Sequence, residues 1–436
     1  MFNPREAALG SLIKWEVSGA FSNIELNTVI SRAPDAQRND ISLYTLLFLG
    51  VIEKKLLLDK IIEKYSKVSL DEIEVDIKNV LRLGIYQLVF TDKIPEYSAV
   101  DQSVKLAPKK AKGFVNAILR SFIRDGKKID LPSEKLERIS LEYSIPMELI
   151  NVFVSSYGIE VATEICTLPP QKASLSLRVN TLKTNVDKLI VELQELGGDA
   201  EKSQIASDIV KTNLPISSLS SLLDSGEVFV QDESSRIASQ VLMAKPGEKI
   251  ADVCACPGGK TFSIAIDMQN KGELYSSDLH QSKLSLIEKG AKRLGIDIIN
   301  ARVQNAKELV LENEGAFDRV LCDVPCSGLG VIFKKPDIKY KSTEAYLNLP
   351  SVQYDILKTS SKYVKKGGIL VYSTCTLNRE ENEKIIEKFL LENKDFEPFD
   401  FEIGQIKSEK GGYTFFPHVT KTDGFFVARI RKTDDK

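Results

Sequence analysis

Ile250-Ala-Asp-Val-Cys-Ala-Cys-Pro-Gly-Gly-Lys-Thr261 passes from an apolar, strand-forming run through two adjacent glycines into a helical pattern. A strand, a glycine loop and a helix in that order are the building unit of a parallel α/β sheet. Further short β-rich runs follow, at Leu274–Ser277, Ile299–Val303, Val320–Cys322 and Ile369–Tyr372, and helical stretches such as Lys283–Leu294 and Tyr354–Val364 separate them. The alternation predicts a doubly wound, mostly parallel, Rossmann-like sheet over residues 226–436. Ligands of such sheets gather in the crevice outside the carboxyl ends of the strands. The residues standing there are Cys254 to Thr261, Asp278, Asn305, Asp323 to Gly328 and Ser373 to Thr376.

The glycine loop is not a phosphate cradle. A P-loop needs glycine six residues before its lysine, and Cys254 stands six residues before Lys260; the dinucleotide fingerprint G-x-G-x-x-G is missing as well. Gly258 and Gly259 still let backbone approach a ligand closely, and the helix start supplies amide donors. These features point to a nucleoside cofactor without a phosphate to hold, with Asp278 some twenty residues on to accept from ribose hydroxyls. Taken alone, Asp278 reads equally as an acidic cap on the next helix. Five of the six cysteines crowd between Cys254 and Cys375. Cys254-x-Cys256 and Cys322-x-x-x-Cys326 lack a zinc-knuckle spacing and neither histidine accompanies them, so no metal is expected. Cys322 and Cys166 sit in apolar runs and read as core, whereas Cys326 and Cys375 follow strand ends beside small polar residues and read as open to a substrate.

Working outward to the N-terminus, apolar residues recur at three- and four-residue spacing from Pro4 to about Phe122, which predicts an all-helical domain. Its end is basic, with eight lysines and arginines between Ser103 and Lys128 against one acid, Asp125. A solvated face is the commoner meaning of such a run, but that imbalance leaves a repulsive patch unless phosphates meet it. Asp125 to Pro132 reads as a linker. A helical opening from Ser133, alternation at Ser174-Leu-Ser-Leu-Arg-Val-Asn180 and a helix from Asn185 to Leu196 predict a small α+β unit. The expected domains are therefore 1–130, 131–225 and 226–436, in keeping with 436 residues at roughly 150 per domain.

Composition narrows the class. Hydrophobic residues make up 43% and charged residues 28%, the balance of a folded globular chain. The formal charge of −2, from 59 basic and 61 acidic side chains, requires any nucleic acid to be gripped locally. Uninterrupted apolar runs fall short of the roughly 18 residues of a membrane span, and the N-terminus lacks the pattern of a secretory signal. The expectation is a cytoplasmic monomer with reduced thiols and no membrane partner.

Asp252-Val-Cys-Ala-Cys-Pro-Gly-Gly-Lys-Thr261, Asp323-Val-Pro-Cys-Ser-Gly-Leu-Gly330 and Ser373-Thr-Cys-Thr376 followed by Glu380-Glu381-Asn382 resemble the Nol1/Nop2/Sun family of RNA cytosine-5 methyltransferases. Gln231-Asp-Glu-Ser-Ser235, Arg178-Val-Asn180 and Asp423-Gly-Phe-Phe426 resemble further motifs of that family. Phe114-Val-Asn-Ala-Ile-Leu-Arg120 resembles a NusB-like RNA-binding domain.

The resemblance implies S-adenosylmethionine as cofactor, held by Cys254, Ala255, Cys256, Pro257, Gly258, Gly259 and Lys260, with Asp278, Asn305 and Asp323 completing the pocket. Asn305 departs from the family, which has Asp at the adenine edge; asparagine can still accept there. Cys375 is implied as the nucleophile on C6 of cytosine, Asp323 as the contact to N3 and the exocyclic amine, and Cys326 as the thiol that assists release. The Pro325-Cys326 dipeptide keeps a rival open, in which Cys326 attacks, as in DNA cytosine-5 methyltransferases. An unperturbed thiol, with a pKa of about 8.5, is only a few per cent thiolate near neutrality, so either choice needs a site that favours the thiolate. Implied RNA contacts are Lys109, Lys110, Lys112, Arg120, Arg124, Arg178 and Asn180. The expected substrate is an unpaired cytosine of 16S ribosomal RNA. Cytosine-5 methylation of tRNA or 23S RNA, or a non-catalytic assembly factor, are the alternatives.

Overall fold

The computed structural model describes residues 2–168 and 174–434, and the chain forms two compact units. One comprises Met1–Thr167 together with Ile332–Lys341; the other comprises Leu168–Val331 and Ser342–Lys436.

The first unit is helical from Pro4–Ser18 through Met147–Cys166. Its opening helix is set by Asn3, whose side chain accepts from the Arg5 and Glu6 amides, and Gly19 ends it in the left-handed region. The helix Lys112–Arg124 shows why the sequence pattern is legible. Val115, Ile118, Leu119 and Phe122 lie on one buried stripe, and Lys112, Arg120 and Arg124 stand exposed opposite them. The helices Lys135–Tyr143 and Met147–Cys166 also fall in this unit, which runs to Thr167. By length and composition alone Met147–Cys166 could cross a membrane, at a mean hydropathy of 1.2, although no uninterrupted apolar run announces it. It breaks at Gly158 (φ 82°, ψ 168°) and buries Leu149, Ile150, Phe153, Ala162 and Ile165 inside the unit.

Ile332–Lys341 joins this unit from far along the chain. Tyr340 packs edge-on against Trp15 at 5.9 Å and takes the Lys55 ammonium over its ring at 5.4 Å. Lys339 is buried, its ammonium facing the Glu53 and Tyr143 carbonyls at 3.5 and 3.4 Å. Burial lowers the Lys339 pKa to about 8. Asp337 accepts from the Ser22 hydroxyl.

The second unit contains two principal sheets. β1 (Leu175–Val179), β2 (Glu201–Lys202), β3 (Ile209–Thr212) and β4 (Val228–Val230) form an antiparallel sheet in the order β2-β3-β1-β4. The helix Val186–Glu195, capped by Asn185, contributes Leu189 and Leu193 to the core beneath it. The larger sheet is built from β5 (Lys249–Asp252), β6 (Glu273–Asp278), β7 (Ile299–Val303), β8 (Phe317–Asp323), β9 (Val364–Thr374) and β10 (Phe396–Pro398). β11 (Glu402–Ile403) and β12 (Ile406–Lys407) form a separate pair, and β13 (Gly412–Phe415) and β14 (Phe425–Lys432) complete the large sheet.

The order is β10-β14-β9-β8-β5-β6-β7, with β13 on β14. Strands β7, β6, β5, β8 and β9 are parallel neighbours, and β14 lies antiparallel to β9. The chain steps from β5 outward to β6 and β7, then returns to the other side of β5 as β8. That reversal opens a crevice at the carboxyl ends of β5 and β8.

Candidate functional site

The β5 strand ends at Asp252, and its continuation is pinned to both neighbours: the Val253 amide donates to Leu321 and the Ala255 amide to Ser277. Gly258 turns the chain into the helix Gly259–Asp267 with φ 109°, and a Cβ there would lie 2.6 Å from the Phe262 ring. No side-chain hydrogen bond caps that helix at Gly258, and an uncapped helix start suits an anionic group such as a carboxylate. Gln231 braces the turn, donating to the Gly259 carbonyl at 3.0 Å and accepting from the Ser263 hydroxyl at 2.7 Å. Asp252 is buried, accepts from Thr261 at 2.7 Å, and has a second oxygen without a partner among the described residues. Burial pushes its pKa to about 7.

Across the loop, Asp278 is half-buried at the end of β6, accepts from the His280 amide at 3.0 Å and takes a hydrogen bond from the Cys256 thiol. Burial first, and Asp278 next, raise Cys256 to about 12, so it stays a thiol. Asn305 is engaged locally: its amide donates to Glu308 at 2.8 Å and its carbonyl accepts from Lys307 at 3.2 Å. Both ends are already used, which leaves an adenine edge to be met by exchange of one of these bonds. The uncapped helix start, the glycine turn and the acid at the next strand end fit the amino-acid and ribose ends of a nucleoside cofactor.

At β8 and β9 the arrangement changes from cradle to chemistry. Cys326 and Cys375, 49 residues apart in sequence, bring their sulfurs to 3.1 Å, and both residues are half-buried. Beside them Lys260 pairs with Asp323 at 2.7 Å, and Ser373 donates to the other Asp323 oxygen at 2.8 Å. Both Asp323 oxygens therefore accept, one from Lys260 and one from Ser373. Burial works against the Lys260 ammonium, yet Asp323 and then Cys375 and Asp252 outweigh it, and the pKa is raised. Lys260 therefore stands as a cation among Asp323, Asp252 and Cys375. Cys326 is raised well above the ordinary thiol value, chiefly by its hydrogen bond with Cys375 and then by burial. Either sulfur could donate to the other across that distance.

The loops carrying the thiols are tied together. Gly330 donates to the Cys375 carbonyl at 3.0 Å and accepts from the Gly424 amide at 2.9 Å; a Cβ on Gly330 would overlap the Gly424 carbonyl. This accounts for the Asp423-Gly-Phe-Phe426 motif, whose glycine closes the floor under Cys375.

Two expected RNA contacts are corrected. Arg178 is 1% exposed, pairs with Asp208 at 2.9 Å and Asp267 at 3.3 Å, and Arg236 completes the cluster on the same two acids. Asn180 is fully buried and donates to the Gly226 and Leu294 carbonyls at 2.8 and 2.9 Å. Both hold β1 against the elements of the larger sheet, through long-range partners that a linear motif does not display.

The basic run is also less bare than its sequence count. Lys105 pairs with Asp101, Lys110 with Glu74, Lys127 with Glu96 and Lys128 with Asp130. Lys109, Lys112, Arg120 and Arg124 are exposed and make no ion pair among the described residues. Nothing in the linear sequence joins Gln231, Lys260 or Glu381 to the partners they find, since each acts across strands. Among the described residues no cluster of His, Cys, Asp or Glu is placed to hold a metal ion.

Comparison with known proteins shows the family. The family described as 16S rRNA methyltransferase RsmB/F matches residues 239–431, the NusB family matches 2–124, and the RsmF/B-like ferredoxin-like domain matches 145–217. The chain is 37% identical to the probable ribosomal RNA small subunit methyltransferase B of Bacillus subtilis (strain 168), over 98% of each chain. It is 33% identical to the corresponding protein of Synechocystis, over 99% of this chain and 100% of that one. The crystal structure of PH0851 superposes with a TM-score of 0.83 at 26% identity, covering 99% of both chains. NSun6 from Pyrococcus horikoshii, solved with SFG, gives 0.59 at 25% identity over 66% of this chain and 99% of that one.

Proposed function

The chain belongs to the 16S rRNA methyltransferase RsmB/F family, and from that premise we propose that it methylates C5 of an unpaired cytosine in 16S ribosomal RNA through a covalent bond to Cys375. The observation that carries the reading is the thiol pair at 3.1 Å beside the Lys260–Asp323 ion pair. A chemistry that attacks oxygen or nitrogen directly has no use for two adjacent sulfurs; C5 of cytosine, a poor nucleophile, needs one of them at C6.

S-adenosylmethionine, held by the Cys254–Lys260 loop with Asp278, supplies the methyl group; SFG, an analogue of it, in the related NSun6 structure supports that assignment. The Cys375 thiolate forms the S–C6 bond and sends the ring electrons toward N3 and O2. Asp323 accepts from the exocyclic amine, which distinguishes cytosine from uracil. Lys260, whose ammonium has donors to spare beyond Asp323, meets the negative charge developing on the ring. After transfer the C5 proton leaves to solvent, its electron pair re-forms the C5–C6 double bond, and the S–C6 bond breaks to return the Cys375 thiolate, with Cys326 assisting the release. Leaving a stack costs the base a few kcal/mol, less in a loop, which favours an unpaired target.

The test is a pair of variants assayed with 16S RNA and labelled cofactor. Cys326→Ala is expected to accumulate a denaturation-resistant RNA adduct, and Cys375→Ala to form none. An adduct from Cys375→Ala and none from Cys326→Ala would reverse the assignment of attacker.

A further inference from the structure

One buried carboxylate touches both thiol loops and has no part in the mechanism above. Glu381 is fully buried. One of its oxygens accepts from the Ser327 hydroxyl at 2.6 Å and the Asn378 amide at 3.0 Å. The other accepts from the Ser327 backbone amide and the Gln353 side chain, each at 2.9 Å. Gln353 also donates to the Pro325 carbonyl at 2.9 Å, and the Ser327 and Thr376 hydroxyls meet at 2.7 Å. The residues on both sides of Cys326, Pro325 and Ser327, are therefore bound to one hub. So are Thr376, adjacent to Cys375, and Asn378, three residues beyond it.

We propose that Glu381 is a positioning residue for both sulfurs: its single carboxylate fixes the two loops at reacting distance, and its charge, bonded beside Cys326, disfavours a thiolate on Cys326 and leaves Cys375 as the attacker. The proposal rests on the reading of Cys375 as attacker. Four donors converge on Glu381, two on each carboxylate oxygen. The charged and titratable groups around the sulfur pair are Lys260 from the Gly259–Asp267 helix, Asp323 from β8, Tyr372 from β9 and Glu381 itself. Glu381 bonds directly to Ser327, next to Cys326, whereas Lys260 pairs with Asp323, which is bonded to Ser373 two residues before Cys375, so a negative charge lies beside the Cys326 loop and a positive one beside the Cys375 strand. A fold needing only a packed polar residue here would be served by glutamine, which reaches as far and can pair with Ser327 and Asn378 after their donors turn. Glutamate adds the charge.

The experiment compares full-length wild type, Glu381→Gln and Glu381→Asp. Each is treated with limiting iodoacetamide without RNA, the alkylated peptides are quantified by mass spectrometry, and kcat and KM are measured with 16S RNA. Wild type is expected to label mainly at Cys375. Glu381→Gln should shift label toward Cys326 and lower kcat while KM for RNA stays within about twofold. Glu381→Asp, charged but too short, should keep the label on Cys375 and lower kcat by about 100-fold, the cost of misplacing a reacting group by an ångström. Unchanged label distribution in Glu381→Gln, with folding verified by its melting curve, overturns the proposal. If Glu381→Gln does not fold, Ser327→Ala, which removes the hydroxyl link to both Glu381 and Thr376, must lower kcat without raising KM, and an unchanged kcat overturns the positioning role. A label shift in Glu381→Gln alongside a wild type that transfers no methyl group to 16S RNA would uphold the hub and reject the proposed function.

Discussion

Asp252 is a carboxyl group buried at the crevice. It is buried with one oxygen unpartnered among the described residues, and its pKa rises from the ordinary 3.8 to about 7. The folded chain therefore holds this proton to higher pH than the unfolded chain does, and its contribution to stability declines as the pH climbs from about 4 to about 7. Asp252→Asn keeps the reach to Thr261 and removes the ionisation. The variant is expected to gain on wild type at pH 8, by on the order of a few kcal/mol, and to match it near pH 4. Melting curves across that range check it; parallel curves for the two proteins would contradict the assignment. At this scale the sequence is readable where a residue acts through its own loop. Cys326, Cys375 and the glycine turn stand where their strand ends predict. Arg178 and Asn180 escape a linear reading because their burial depends on Asp267 and Leu294, more than 85 residues away. Glu381 shows in the sequence only as part of a motif, with nothing local to say that four donors converge on it.

Among the elements, the helix Lys112–Arg124 separates structure from binding most cleanly. Its buried stripe belongs to the core and its exposed face carries Lys112, Arg120 and Arg124, with Lys109 just ahead of it. Charge reversal at Lys109, Lys112, Arg120 and Arg124 is expected to weaken binding to 16S RNA and to flatten its dependence on log salt by about 0.7–0.9 for each phosphate no longer neutralised, while cofactor affinity stays the same. Reversal at Lys110 alone should do less, since Glu74 already neutralises it. Titrations at several salt concentrations measure both, and an equal fall in cofactor binding would refute the division. Helix and strand elements are legible from periodicity of three to four and of two, because one face of each is buried. The extension of the helical unit to Thr167 is not, since Gly126 and Pro132 interrupt the helical pattern before it resumes.

For the whole molecule, the informative segment is Ile332–Lys341. It begins just after Val331, whose neighbour Gly330 is bonded to the Cys375 loop, yet it completes the core of the N-terminal unit. Tyr340→Ala in the full chain is expected to destabilise that unit by about 3 kcal/mol, at the low end for removal of a large ring. Trp15, the single tryptophan, touches Tyr340 and reports the change by fluorescence. A melt followed at Trp15 that does not move would exclude this role for the segment.

The same segment sets an order in time. The first 167 residues leave the ribosome without Tyr340, and at about 5–20 residues per second the missing ten follow on the order of ten to thirty seconds later. Through that interval the nascent N-terminal helices carry an open seat beside Trp15. The unit is finished only after the strand bearing Asp323 and the loop bearing Cys326 have been synthesised, so maturation of the N-terminal helices is clocked by production of the thiol-bearing half.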